Sequence, residues 1–401
     1  MKMDQREVIL KKAKELRQEI IDFERELIRI PSPNPPGEYQ QISRCVADKL
    51  RDIGFEVSIV SSRPDKPNVI GTLKGTAGKP VLINNAHLDT VPVGGGWTVD
   101  PYEAVVREGK IFGRGAYDAK ARIVVYVMAA KVIKEAGFRL RGDLIGCYTV
   151  DEETGGNYGA GYCVSEGHVK GDTAISEGRQ DEIWFAESGH LTLRVDVLGE
   201  AAHAMYPWLG VNAIEKMTDV LIGLRNLQEE LKGKKSDIPG LSYSTITVGT
   251  IKGGNKSNML ADRCSIDVDA RVIPEVDLDG VIGRIEGIME GLRNQDPTFR
   301  AETEILLKAE PSVTPHDVPI IGIIRKVSNE VLGFEPNPVG LHATSDAKYF
   351  REKGIPTVHW GVGTAKNRAH GADEFIEIED LVNLTAAHAL VNMEFLDYEK
   401  Y

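Results

Sequence analysis

The stretch Pro80-Val81-Leu82-Ile83-Asn84-Asn85-Ala86-His87-Leu88-Asp89-Thr90 organises the reading of this chain. Its apolar β-formers, bounded by glycine and proline and closing in polar residues, predict a buried strand that delivers His87 at its end. A histidine there can face a cleft. Two residues on, the Asp89 carboxylate can reach the far ring nitrogen of His87 and hold the tautomer that offers a lone pair to a metal. The pair carries little weight alone, because most strand-end histidines are merely hydrogen-bonded.

Around that strand the composition sets bounds. With 401 residues the chain exceeds what one hydrophobic core usually supports, so two domains are expected. A formal net charge of −12 argues against a sequence-independent grip on nucleic acid or on an anionic membrane surface. An anionic substrate would need its own local positive group. Cys45, Cys147, Cys163 and Cys264 are scattered without CxxC spacing, as reduced thiols of a cytoplasmic protein would be. Lys2, Arg6, Lys11 and Lys12 are not followed by an apolar segment of signal-peptide or membrane length, so export is not expected.

Upstream, apolar residues at helical spacing predict an amphipathic helix over 4–30, ended by Pro31-Ser-Pro-Asn-Pro-Pro-Gly37, then a helix over 39–53 and strands over 55–60 and 68–73. Downstream, Gly94-Gly95-Gly96 lacks the spaced fingerprint of a nucleotide site and reads as a loop. Gly113-Arg-Gly-Ala-Tyr-Asp118 opens a helix over 122–135, which puts Asp118 near a helix N-terminus, where an N-cap is the plainer reading. A strand over 143–150 ends in Asp151-Glu152-Glu153-Thr154-Gly155-Gly156. Adjacent carboxylates there repel unless a cation sits between them or one stays protonated. A strand over 173–176 ends in Glu177. The region reads βαβαβ, and sites in open α/β sheets gather at the carboxyl ends of strands, so His87, Asp118, Glu152, Glu153 and Glu177 can converge.

These motifs resemble those of the M20 metallopeptidases, the group with acetylornithine deacetylase, succinyl-diaminopimelate desuccinylase, aminoacylase and the glutamate-releasing carboxypeptidases. The HxDxVP motif stands as His87 to Pro92, GRGAxD as Gly113 to Asp118, and DEExG as Asp151 to Gly155. A late histidine in a small-residue loop stands as Arg368-Ala-His370-Gly-Ala-Asp373-Glu374. The resemblance implies two divalent metal ions, zinc with cobalt or manganese as replacements. Asp118 would bridge them, His87 and Glu177 would hold one, and Glu153 and His370 the other. Glu152 would be the general base and Asp89 the partner behind His87. Read from its position alone, Asp373 can orient His370, although an acid in a loop is more often just solvated.

From about residue 186 the pattern becomes β-α-β-β-α-β, the ferredoxin-like plan. It resembles the family's inserted lid or dimerisation domain at 187–309, leaving 1–186 and 310–401 as one discontinuous α/β catalytic domain with a mixed sheet. By the same resemblance a homodimer forms through the lid, whose His203 stabilises the oxyanion in the partner's site, while Asn258 and Arg271 hold a substrate carboxylate. Gly340-Leu-His342-Ala-Thr344-Ser-Asp346 resembles the GGTSD loop that receives substrate. The sequence departs from the pattern in Ala119-Lys120-Ala121, Gly178-Arg179, His342-Ala343 and the bulky Met205-Tyr206-Pro207-Trp208, and Arg179 could add a positive group beside the metals. The expected activity is removal of the acyl group from a small N-acyl amino acid. A dipeptidase or carboxypeptidase, or a deaminase on the same scaffold, is the alternative. A metal-free binding protein would have lost a ligand, and none is missing; a dinucleotide-dependent oxidoreductase would need a glycine fingerprint.

Overall fold

The computed structural model describes residues 5–400. The chain forms two compact units, one built from residues up to Phe185 with Thr314–Pro338 and everything from Ser345, the other from Ala186–Val313 with Val339–Thr344.

In the first unit the strands Glu56–Val60, Asn68–Leu73, Asp143–Thr149, Val81–His87, Thr173–Ser176, Thr357–His359 and Glu182–Glu187 lie side by side in that order. The middle of this sheet is parallel, with His87 opposite Thr149 and His359 opposite Ser176. Four parallel strands therefore end on one rim. Val81–His87 is buried along almost its whole length, as a strand covered on both faces must be. Below the rim, Asn85 ties its neighbours together: its Nδ2 donates to the Cys147 carbonyl at 3.0 Å, and its Oδ1 accepts from Ser176 Oγ at 2.8 Å.

The helix Lys120–Glu135 is apolar on nearly all sides because it packs between Arg17–Ile28, the sheet and the C-terminal helix Ile378–Leu396. Each fully buried Val or Ile in it contributes about 1.5–3 kcal/mol of transfer free energy. The helix expected over 4–30 is two helices, Gln5–Glu15 and Arg17–Ile28. The break is a local bend, since Leu16 still accepts from the Ile20 N–H at 3.0 Å while its own ψ opens to 3°.

The second unit has the expected β-α-β-β-α-β order, with sheet order Thr245–Gly253, Arg263–Val272, Gly189–Leu198, Arg300–Ala309, all antiparallel. Strict alternation of burial along Gly189–Val195 leaves one face for the helices Ala213–Lys232 and Leu278–Gln295. Asn212 and Asp277 cap those helices, accepting from the Ile214 and Gly280 N–H groups. The expected division at 310 differs at Val339–Thr344, which packs with this unit: Ser188 N–H donates to Leu341 O at 3.0 Å and Gly340 N–H to Pro239 O at 2.7 Å. His342 and Thr344 thus belong to the second unit.

Candidate metal centre

His87, at the end of its strand, is 2% exposed. Its Nδ1 lies 2.8 Å from the main-chain oxygen of Asp89 and 3.5 Å from the carboxylate. An N–H on Nδ1 satisfies that carbonyl and leaves the Nε2 lone pair for a ligand. The backbone carbonyl of Asp89, rather than its carboxylate, is the nearer partner of Nδ1. The Asp89 carboxylate instead accepts from the N–H groups of Glu152 and Glu153, each at 3.2 Å, and from Asn34 Nδ2 at 3.0 Å. It holds the acidic turn in place beneath the histidine.

Asp118 does not cap the helix that follows, whose N-cap is Ala119 with no side-chain bond. Its carboxylate points the other way, with Oδ1 3.3 Å from His87 Nε2 and Oδ2 3.3 Å from His370 Nε2. Burial opposes the Asp118 charge, but the two histidines and Arg122 hold the carboxyl well below the usual range. His370 Nε2 also lies 3.3 Å from Glu153 Oε2. Its bonds to Asp118 and Glu153 push His370 up to about 10. Burial would lower His87, yet Asp118, Asp89 and the Glu152 charge carry it well above its ordinary value.

The adjacent acids diverge. Glu153 faces His370, and its other oxygen, Oε1, is buried with no hydrogen-bond partner. Glu152 Oε2 stands 4.0 Å from His87 Nε2, and burial, reinforced by the charges of Asp346, Glu177 and Glu153 against the pull of His87, raises its pKa well above the usual value. Donor atoms of His87, Asp118 and Glu153 all lie within 4.8 Å of one another. Glu177 is buried at its strand end, Oε2 accepting from Ser176 Oγ at 3.2 Å, and stands outside that group while its charge acts on Glu152. An orphaned carboxylate oxygen beside imidazole and carboxylate donors suits a divalent ion of the zinc type.

Several supporting residues carry no role in the sequence reading. Glu374 accepts the N–H groups of Gly115, Tyr117 and Asp118 at 3.1, 2.8 and 2.8 Å and pairs with buried Arg114 at 2.5 Å. Arg114 in turn donates to the His370 carbonyl at 3.2 Å. Asn34, within a segment read only as a turn, reaches both Asp89 and Thr154. Lys66 pairs with Asp151 at 3.2 Å in a buried bridge. Asp373 does not orient His370; its carboxylate accepts from the N–H and hydroxyl of Thr98. Asp151, His370 and Asp373 have φ of 74°, 62° and 53°, left-handed conformations that cluster where function strains a backbone.

Arg179, expected to add a positive group beside the metals, is paired with Glu182 Oε2 at 2.6 Å and Asp181 Oδ1 at 3.3 Å. In the second unit, Arg271 forks onto Asp269 with Nε and Nη2 at 2.9 and 3.1 Å, and His190 Nε2 lies 2.8 Å from the same carboxylate. Partial desolvation and the Arg271 charge hold His342 below its ordinary value. His203 accepts the Met205 N–H on Nδ1 at 3.0 Å, so a neutral ring carries its proton on Nε2. The Ala204 N–H donates to the Asn258 carbonyl at 3.0 Å, which sets His203 and Asn258 in neighbouring exposed loops. Thr344 is half-buried at the end of Val339–Thr344.

Histidines and carboxylates gathered on one shared acid, at the rim of a parallel sheet, are the mark of a metal-dependent hydrolase. The chain belongs to the peptidase family M20/M25/M40, whose model matches residues 83–394. It is a hydrolase of carbon–nitrogen bonds. Over 94% of both chains it is 29% identical to the N-formyl-4-amino-5-aminomethyl-2-methylpyrimidine deformylase of Bacillus subtilis. Acetylornithine deacetylase of Vibrio atlanticus is 29% identical over 87% of this chain and 90% of its own. In fold it resembles a tripeptidase from Staphylococcus aureus, with a TM-score of 0.79 and 21% identity over 95% of this chain and 98% of the other. No described helix is long and apolar enough to cross a membrane.

Proposed function

We propose that this protein is a two-metal deacylase that cleaves the amide of a small N-acyl amine, with N-acyl amino acids among its substrates. The observation that carries the reading is the divergence of Glu152 and Glu153. One acid presents an orphaned oxygen among histidine and aspartate donors; its neighbour stands apart with a raised pKa, suited to moving a proton. His87, Asp118 and Glu177 would hold one ion and Asp118, Glu153 and His370 the other, zinc or its cobalt or manganese replacements. When bound, such ions polarise the amide carbonyl and lower the pKa of water.

Glu152 takes a proton from the attacking water and passes it to the leaving nitrogen. The Nε2–H of His203 is a donor for the tetrahedral oxyanion. Asp269 occupies the Nε–Nη2 edge of Arg271, so Nη1, with Asn258, serves a substrate carboxylate. Thr344 and His342 line the acyl or amine side, and Arg179 acts through the local field of its ion pairs. The deformylase and deacetylase names of the relatives support a short acyl group.

The same reading places the chain in the cytoplasm as a homodimer through its second unit. Supporting the dimer, Thr245–Gly253 and Arg300–Ala309 are sheet edges that expose Ile251, Ile305 and Leu306. Elemental analysis after loading with Zn²⁺, Co²⁺ or Mn²⁺, with amine release from N-formyl, N-acetyl, N-succinyl and dipeptide substrates, tests the proposal. Two ions per chain with turnover of an N-acyl class supports it. No bound ion after loading sinks it.

A further inference from the structure

The turn that carries Glu152 is too short to hold itself. Glu152–Thr154 is a single 3₁₀ turn between left-handed residues, with φ of 74° at Asp151, 113° at Gly155 and 77° at Gly156. Its internal bonds are few, Gly155 N–H to Glu152 O at 2.9 Å and Gly156 N–H to Asp151 O at 2.7 Å among them. Such a turn keeps one geometry only if its surroundings fix both ends. The Asp89 carboxylate fixes the entering end.

The leaving end is fixed from elsewhere in the chain. Gly155 O accepts from Lys348 Nζ at 3.0 Å and from the Tyr349 hydroxyl at 2.6 Å. The same hydroxyl lies 2.9 Å from the Asn157 side-chain amide. Two residues before Lys348, Asp346 Oδ2 accepts from Thr149 Oγ1 at 2.7 Å, and a Cβ on Gly156 would stand 2.3 Å from Asp346 Oδ1. Two donors on one carbonyl, one of them charged, are more than a surface loop needs. These side chains belong to Asp346 and to the helix Ala347–Glu352, which starts just after the chain leaves Val339–Thr344.

We infer that Lys348 and Tyr349 are positioning residues for Glu152. They hold the Gly155 carbonyl and, through the turn, set the height of the Glu152 carboxylate above the metal donors. The inference rests on Glu152 being the general base. It adds a device that sits more than 190 residues later in the chain and touches none of the metal donors in any bond described above.

The test compares Tyr349→Phe, Lys348→Met and Lys348→Arg with Glu152→Gln in the metal-loaded full chain, using the best substrate of the panel above. Displacing a base by a fraction of an ångström to one ångström costs roughly ten- to hundred-fold in turnover. Tyr349→Phe and Lys348→Met should each lower kcat in that range with KM and metal content unchanged, and Lys348→Arg should restore most of the loss. Amide hydrogen exchange over residues 152–157 should quicken in the same two variants, a readout that needs no substrate. Wild-type kcat with wild-type exchange in both variants overturns the inference while leaving an inactive Glu152→Gln intact. Turnover retained in Glu152→Gln overturns the general-base reading itself.

Discussion

The main-chain N–H of Asp118 donates to Glu374 Oε1 at 2.8 Å, across 256 residues of sequence. The acid shared by His87 and His370 is thus aimed by a carboxylate four residues after His370. Arg114 closes the arrangement by bonding both Glu374 and the His370 carbonyl. Groups that orient ligands in this way typically govern ten- to hundred-fold in metal affinity. Glu374→Gln, which keeps the shape but weakens acceptance from three N–H groups and from Arg114, should weaken zinc binding by roughly that factor in a chelator competition. Unchanged affinity would show that the Asp118 loop holds itself.

Glu152→Gln and Glu153→Gln should separate the two acids. With Glu153 facing His370 and Glu152 set apart, the first variant should keep its metal and lose at least roughly a hundred-fold in kcat. The second should lose metal before activity per ion. Elemental analysis paired with turnover reads both, and metal loss in Glu152→Gln would mean that the roles are reversed.

The sequence makes part of this legible for physical reasons. The strands Val81–His87, Gly189–Leu198 and Arg263–Val272 announce themselves through apolar runs and alternation, because one or both of their faces are buried. Ile378–Leu396 gives no such signal, since it is buried on almost every side and so has no polar stripe to set a period. The donors on strand ends are visible as charges where apolar strands stop. Their supports are not. Asn34, Glu374 and Tyr349 act by hydrogen bonds across long sequence separations, and nothing local distinguishes Asn34 from any other turn residue. Asp89 shows the limit from the other side: spacing identifies its partner, but only the fold shows that its carbonyl, not its carboxylate, takes the closer bond to the ring.

His203→Ala should cost roughly a hundred- to a thousand-fold in kcat, the usual effect of removing one oxyanion donor, with metal content unchanged. The Met205 N–H on Nδ1 fixes the donor at Nε2, so His203→Gln, which keeps an N–H donor, should recover part of the loss. Steady-state kinetics paired with elemental analysis reads the effect. Turnover near wild type in His203→Ala would remove the residue from the reaction.

Glu24 gives a prediction on stability rather than catalysis. It is fully buried in Arg17–Ile28, and neither carboxyl oxygen has a hydrogen-bond partner. Burial raises its pKa well above the usual 4.5 against the pull of the Lys120 charge, with the Glu374 charge adding to the rise. The folded state therefore binds a proton that the unfolded chain releases above its own, ordinary value. Between those two values stability falls with rising pH; below the lower one the full contribution is present. Glu24→Gln cannot titrate. The difference in melting temperature, variant minus wild type, should thus be small at pH 5 and grow through pH 6 and 7. That window lies below the value of about 8 to which burial lowers Lys120, so the lysine stays protonated across it in the wild-type protein. Melting curves at the three pH values on metal-loaded protein decide it, and a difference that stays constant would mean that Glu24 is solvated in the folded protein.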